Sequence, residues 1–366
     1  MLSIGVLHSS AQAGTYYAQD DYYTKDSAGE PSRWDGKGAE SLGLAGQVDR
    51  THFEALLNGE LPNGVVLKRG QEGKHQPGWD LTFSAPKSVS LVALVGEDSR
   101  VVEAHNLAVT EALRYLEATT AQARIKQEGK SAIETTGNWI IARFTHDTSR
   151  ELDPQLHTHA VVINATQRAD GEWRALSSKE IFRAKMVGGA IYRAELARAL
   201  QRLGYEIEVK NRDGRFEIQG FAAEQLRHFS QRREEIKAAL EKLGASGAKA
   251  SATLALYTRA RKGPIDRTEV YADWKSRAAS QGIDFHTLIS KRVDSTEFPR
   301  SQRALISTAL MPSFFARASA LSASCLSLKG PSCTRVSRWA SMPARCSCFF
   351  KAWALAGEVK TPTWIM

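Results

Sequence analysis

The chain has 366 residues, 42% hydrophobic and 24% charged, which is enough apolar material for a sizeable core in one large or two modest domains. No run approaches 18 apolar residues and the N-terminus lacks a basic segment followed by an apolar one, so neither a transmembrane helix nor a signal peptide is expected, and a cytoplasmic location is. The net charge of +9 points to a nucleic-acid partner, but nine Lys/Arg and one acid, Glu358, lie from Pro299 onward, leaving the first 298 residues near +1. A nucleic-acid site must therefore be sought in local patches.

Ser3 to His8 reads as a first short strand. The polar stretch GTYYAQDDYYTKD follows from Gly14, with Tyr16, Tyr17, Tyr22 and Tyr23 inside eight residues. Alone, these would fit an amphipathic helix; beside a metal site, they become candidate nucleophiles. Gly64 to Asp80 is expected to form a hairpin with Lys68, Arg69 and Lys74 at its tip. A basic ribbon of this kind can enter a major groove, although an ordinary solvated hairpin would look the same.

Leu81 to Phe83 then reads as an apolar strand with Asp80 at its approach, and Ser84-Ala85-Pro86 as a helix start. Asp80 could orient a ligand imidazole or accept a tyrosine proton. Asp98 or Ser99 is expected to cap a helix reaching about Arg124, with Arg124, Lys126 and Lys130 as a basic cluster beyond it.

Trp139 to Thr166 is the most informative stretch, holding three of the nine histidines. Trp139 to Phe144 and Gln155 to Asn164 read as two strands joined by a polar connector containing Asp153-Pro154. Side chains two apart on a strand share a face, so His157 and His159 point together, while His146 is in phase with Ile140, Ala142 and Phe144. Gln155, Val161 and Ile163 share the face of the two histidines. Three imidazoles converging in this way suit a catalytic metal site with open positions. The metalloprotease pattern H-E-x-x-H is absent.

Helices are expected over Ser178 to Leu203, with Gly204 ending the first, over Ala222 to Leu243, over Ser251 to Lys262, and over Asp266 to Ser280. A hairpin about Asp213-Gly214 spans Tyr205 to Ile218. Arg259, Arg261 and Lys262 crowd the loop at Gly263-Pro264. The tail beyond residue 298 holds all four cysteines and eleven serines without a clear apolar period. It reads as frameshift-derived or as a basic disordered extension, and either way the domain boundary falls near residue 298.

The motifs GTYYAQDDYYTKD, DLTFSAPKSVS and ETTGNWIIARFTHDTSRELDPQLHTHAVVIN, with WDGKGAESLGL and GEWRAL, together resemble the N-terminal domain of conjugative relaxases of the TrwC/TraI type over about residues 1 to 285. The resemblance implies an α+β fold of the HUH type, an antiparallel sheet with flanking helices and a three-histidine metal site on a central hairpin. By motif it makes His146, His157 and His159 the ligands of a divalent ion (Mg, Mn or Zn), Tyr16 the first nucleophile, Tyr22 the second, and Asp80 a neighbour of the metal. The Tyr16 to Tyr22 spacing is shorter than usual in the family.

The implied activity is nicking and rejoining of one strand at a plasmid transfer origin through a 5′-phosphotyrosine, without ATP. The expected partners are single-stranded DNA at the nick site, the adjoining origin hairpin, and accessory origin-binding and coupling proteins; Lys68, Arg69, Lys74, Arg261 and Lys262 are the candidate DNA-binding residues. No G-x-x-x-x-G-K-[ST] occurs, so the helicase half usual in the family is expected to be absent. A rolling-circle replication initiator and a non-catalytic origin-binding autoregulator are the rival readings.

Overall fold

A computed structural model describes residues 1–10, 32–67, 75–127, 129–247, 250–251, 253–254 and 266–288. Its centre is a five-stranded antiparallel sheet in the order β1-β3-β7-β6-β2. These strands are β1 (Leu2–Leu7), β2 (Ser32–Asp35), β3 (Gly78–Ser84), β6 (Ile141–Thr148) and β7 (Pro154–Ile163). The ten-residue β7 is the middle strand, paired with β6 on one side and β3 on the other.

Alternation along these strands sorts side chains onto two faces. Trp79, Leu81, Phe83, Ile141, Leu156, Ala160 and Val162 belong to the larger core cluster, where they meet apolar residues of three helices. These helices are α3 (Lys87–Leu94), α4 (Ser99–Thr120) and α6 (Lys185–Arg202). The opposite parity, Ile140, Ala142, Phe144, Val161 and Ile163, forms a second cluster with Trp34, Ala39, Phe53, Leu56 and Leu57. Ala39 lies on α1 (Lys37–Ser41) and the last three on α2 (Arg50–Leu57), whose N-cap Asp49 accepts a hydrogen bond from the His52 backbone at 2.8 Å. An antiparallel sheet with helices against both faces matches the expected α+β class.

Several boundaries differ from expectation. Asp98 is the residue that caps α4, its side chain accepting from Arg100 N, and the helix ends at Thr120. Arg124 and Lys126 instead lie on β4 (Gln122–Gln127), which pairs with β5 (Lys130–Thr135). Ala121 to Arg124 include no glycine or proline, so nothing local marks the end of the helix. Gly78 to Asp80 are not the return arm of a hairpin from Gly64: they open β3 in the central sheet, while Val66 bridges Glu60 and Leu67 N bonds to Gly59 O. Asp80 consequently sits inside a strand rather than at its end. Pro86 is itself the N-cap of α3 and makes no side-chain cap.

The expected helix from Ser178 is two, α5 (Lys179–Arg183) and α6, joined at Ala184; Gly204 follows α6 with φ of 94°, the left-handed conformation suited to glycine. The expected helix from Ala222 also divides, into α7 (Ala223–His228) and α8 (Gln231–Lys242). Phe229 between them is fully buried against Leu91, Val95 and Trp274, with the Arg277 guanidinium 4.6 Å above its ring. Burying that ring interrupts a run that charge pattern alone would continue. The short strands β8 (Thr166–Gln167) and β9 (Trp173–Arg174) pair together, as do β10 (Ile207–Val209) and β11 (Phe216–Ile218) about the expected turn. The last described α-helix, α9 (Arg267–Ser280), is capped by Asp266, which accepts from Thr268 N and Glu269 N. Among the described residues no helix is long and apolar enough to cross a membrane.

Candidate metal centre

The ladder sets His146 opposite His157 and Phe144 opposite His159. Since His157 and His159 share a face of β7, the three imidazoles meet, with ring centroids 5.2, 5.1 and 5.2 Å apart. One nitrogen from each ring lies within 4.8 Å of the others. His146 and His159 are buried and His157 is partly open. The apolar neighbours expected on this face, Val161, Ile163, Ala142 and Phe144, back the cluster from further along the strands.

Two rings have their tautomer set from outside. His157 Nδ1 donates to the Gln155 carbonyl at 2.8 Å, and His159 Nδ1 lies 2.7 Å from Asp80 Oδ2. With Nδ1 protonated, a neutral ring carries its lone pair on Nε2, the arrangement that carboxylate and carbonyl partners impose on metal-binding histidines. The donor set therefore fits a divalent cation: three imidazoles, two already oriented, and coordination positions left for substrate oxygen. Three nitrogens favour a transition metal over Mg²⁺ on affinity.

The structure brings His146, His157 and His159 together and sets Asp80 against His159. Tyr16, Tyr22, Lys68, Arg69, Lys74, Arg261 and Lys262 lie outside the described residues. Thr82 escaped sequence reasoning: its Oγ1 is 3.3 Å from both Asp80 Oδ1 and His159 Nδ1. Its signal was available, because Thr82 is in phase with Asp80 on one strand. Lys87 was also missed. Burial lowers its pKa to about 8, with Asp153 and Glu217 opposing, and its Nζ donates to the Pro154 carbonyl at 2.8 Å, anchoring the first residue of β7.

A further missed group stands behind the sheet. His105, on α4, bonds Tyr192 Oη through Nδ1 and Thr158 Oγ1 through Nε2, both at 2.8 Å. Thr158 lies between the two histidines of β7 and also meets Thr145 Oγ1 at 3.0 Å. A histidine on the apolar stripe with Val101, Ala108 and Ala112 was the available clue.

The multifunctional conjugation protein TraI of Escherichia coli is 44% identical over 296 residues, which are 78% of this chain and 16% of that protein. This chain thus spans about one-sixth of the length of that relative. A metal-bound structure of the conjugative relaxase TrwC with oriT DNA shares 44% identity at a TM-score of 0.72, covering 78% of this chain and all of the TrwC chain. TrwC complexed with a 27-mer comprising the recognition hairpin and the cleavage site shares 43% at 0.71, with the same coverage. The sequence profile of the TrwC relaxase family matches residues 10–281, well over half of the chain, which therefore belongs to that family.

Proposed function

We propose that this chain nicks and rejoins one DNA strand at a plasmid transfer origin, initiating conjugative transfer. The observation that carries the reading is the convergence of His146, His157 and His159 on one sheet face, with Asp80 fixing His159, in a member of a relaxase family whose solved relatives hold oriT DNA. A divalent ion held by the three histidines would offset negative charge on the scissile phosphate. Tyr16 Oη gives up its proton and forms the new bond to phosphorus, the bond from phosphorus to the 3′ oxygen breaks, and that oxygen takes up a proton to leave as the 3′ hydroxyl. The phosphodiester is exchanged for a 5′-phosphotyrosine, so the reverse reaction can reseal the strand without ATP. Tyr22 serves a second transfer while Tyr16 is occupied.

Lys68, Arg69 and Lys74 are assigned to the origin hairpin and Arg261 and Lys262 to DNA phosphates, so that recognition and chemistry use different surfaces. Accessory origin-binding and coupling proteins complete the assembly in the cytoplasm. Residues 1–298 carry the nicking chemistry and residues 299–366 are dispensable for it.

The test is a single-stranded oligonucleotide spanning the nick site of the cognate plasmid. Wild-type protein and a chain ending at residue 298 should both form a covalent adduct mapped to Tyr16, and Tyr16→Phe should form none while keeping affinity for the DNA. Binding without cleavage by wild-type protein would instead establish a non-catalytic origin-binding role.

A further inference from the structure

The segment from Asp147, near the end of β6, through the connector to Asp153 is held at both ends by α9. Residues 267, 271, 274 and 277 recur at helical spacing and so share one side of that helix. Each ties to that segment. Arg267 Nη1 donates to Asp147 Oδ2 at 2.8 Å, and the Tyr271 hydroxyl donates to the same oxygen at 2.7 Å. Trp274 Nε1 donates to the Leu152 carbonyl at 2.7 Å, and Arg277 Nη2 donates to Asp153 Oδ1 at 3.0 Å. Both carboxylate side chains are about 1% exposed, so removing either cation would leave a buried charge short of its partner.

The two ends differ in what they adjoin. Asp147 directly follows His146, whereas Asp153 lies at the far side of the turn. The ladder runs regularly through His146 opposite His157, then shifts before Thr148 opposite Pro154. The extra residue lies on β7, so Asp147 stands opposite both Gln155 and Leu156 and has no single ladder partner, while β6 itself keeps its alternation. Its side chain is held by α9 instead. Successive residues of a strand face opposite ways, so the grip on Asp147 is applied from the face away from the imidazoles. That is the side on which α9 packs beside α3, through Trp274 and Ala278 against Leu91 and Val95.

We infer that Asp147, Arg267 and Tyr271 are positioning residues for the metal ligand His146, making the geometry of the three-histidine centre depend on a helix 120 residues further along the chain. A metal site needs its ligands held to within about 0.5 Å by their supporting contacts. Here the residue that directly follows His146 is held by α9. The inference rests on the metal-centre reading and not on the nicking activity.

The test uses the full chain, stripped of metal and titrated with Co²⁺, whose visible absorption band reports ligand geometry. Arg267→Gln and Tyr271→Phe should each weaken Co²⁺ binding, Arg267→Gln by roughly 10-fold or more, and shift the band. Arg267→Lys should recover part of the affinity. Arg277→Gln breaks the other buried pair of the same helix, and should lower thermal stability while leaving Co²⁺ affinity and spectrum as in wild type. Tyr271→Phe removes only a hydroxyl, so it keeps the question answerable if Arg267→Gln fails to fold. Wild-type affinity and spectrum in folded Arg267→Gln or Tyr271→Phe would overturn the inference, as would equal weakening by Arg277→Gln. No Co²⁺ binding by wild-type protein would sink this inference together with the metal-centre reading, whereas normal Co²⁺ behaviour without DNA cleavage would touch only the proposed function.

Discussion

His159 and Asp80 meet diagonally across neighbouring strands: the ladder pairs His159 with Thr82 and Asp80 with Val161, yet His159 Nδ1 and Asp80 Oδ2 stand 2.7 Å apart. Diagonal neighbours on one sheet face are within reach of long side chains. The carboxylate thus sets the ring's tautomer and its direction before any ion arrives. This favours the orienting role for Asp80 over the role of tyrosine proton acceptor.

Asp80→Asn should accordingly lower metal affinity about 10- to 100-fold, the range expected for a partner of a ligating histidine. Saturating metal should then restore most cleavage. Isothermal titration with Mn²⁺ measures the first, and cleavage rate against metal concentration the second. If affinity is unchanged and cleavage stays low at saturating metal, Asp80 acts on the tyrosine and not on the histidine.

The triad was legible because strand alternation is a rigid rule: once His146, Phe144 and Ala142 were placed in phase, and His157 with His159, only the pairing register remained, and the ladder supplies it. Helix ends were less legible. The break at Phe229 depends on a pocket lined by Leu91 and Trp274, residues far away in sequence, and no local signal announces it. Asp80 looked like a strand-end residue because Gly78 and Trp79 were counted with the hairpin from Gly64, whereas Gly78 with φ of 154° begins the strand close against the Val162 carbonyl. The link from Asp147 to Arg267 joins two unremarkable charges and can be seen only once α9 is packed.

The His105 network gives the fold a pH dependence. Burial, with Arg143 nearby as the next cause, pushes the His105 pKa well below the ordinary histidine value. The unfolded chain takes up a proton on this residue near pH 6.5, while the folded chain resists it. Stability therefore falls as pH drops below about 6.5 and is insensitive to this group above it. His105→Gln keeps polar atoms for Tyr192 and Thr158 but cannot titrate. In metal-free protein with chelator present, urea denaturation from pH 7.5 to 5 should show a shallower acid loss for His105→Gln than for wild type. Equal slopes would mean that His105 is protonated in the folded state too.

The last expectation concerns the Gly36-Lys37-Gly38 segment of the WDGKGAE motif, which lies against the start of the metal hairpin. A Cβ on Gly38 would stand 2.8 Å from the Trp139 carbonyl oxygen and 3.1 Å from Ile140 Cγ1, and Gly38 N already donates to that oxygen at 2.8 Å. The obstacle is backbone, so it cannot swing aside as a flexible side chain would. Trp139 is itself fully buried, and its backbone N–H donates to Glu117 Oε1 at 2.8 Å, so the carbonyl has little room to retreat. Gly38→Ala should therefore destabilise the fold by about 1–3 kcal/mol, the usual result of overpacking. Gly5→Ala is the matched control: a Cβ there meets nothing within 4 Å, so its effect should stay within about 0.5 kcal/mol. Urea midpoints compared at constant m-value measure both. A Gly38→Ala protein as stable as wild type would show that the Trp139 backbone yields, and that the glycine is not required by this close approach.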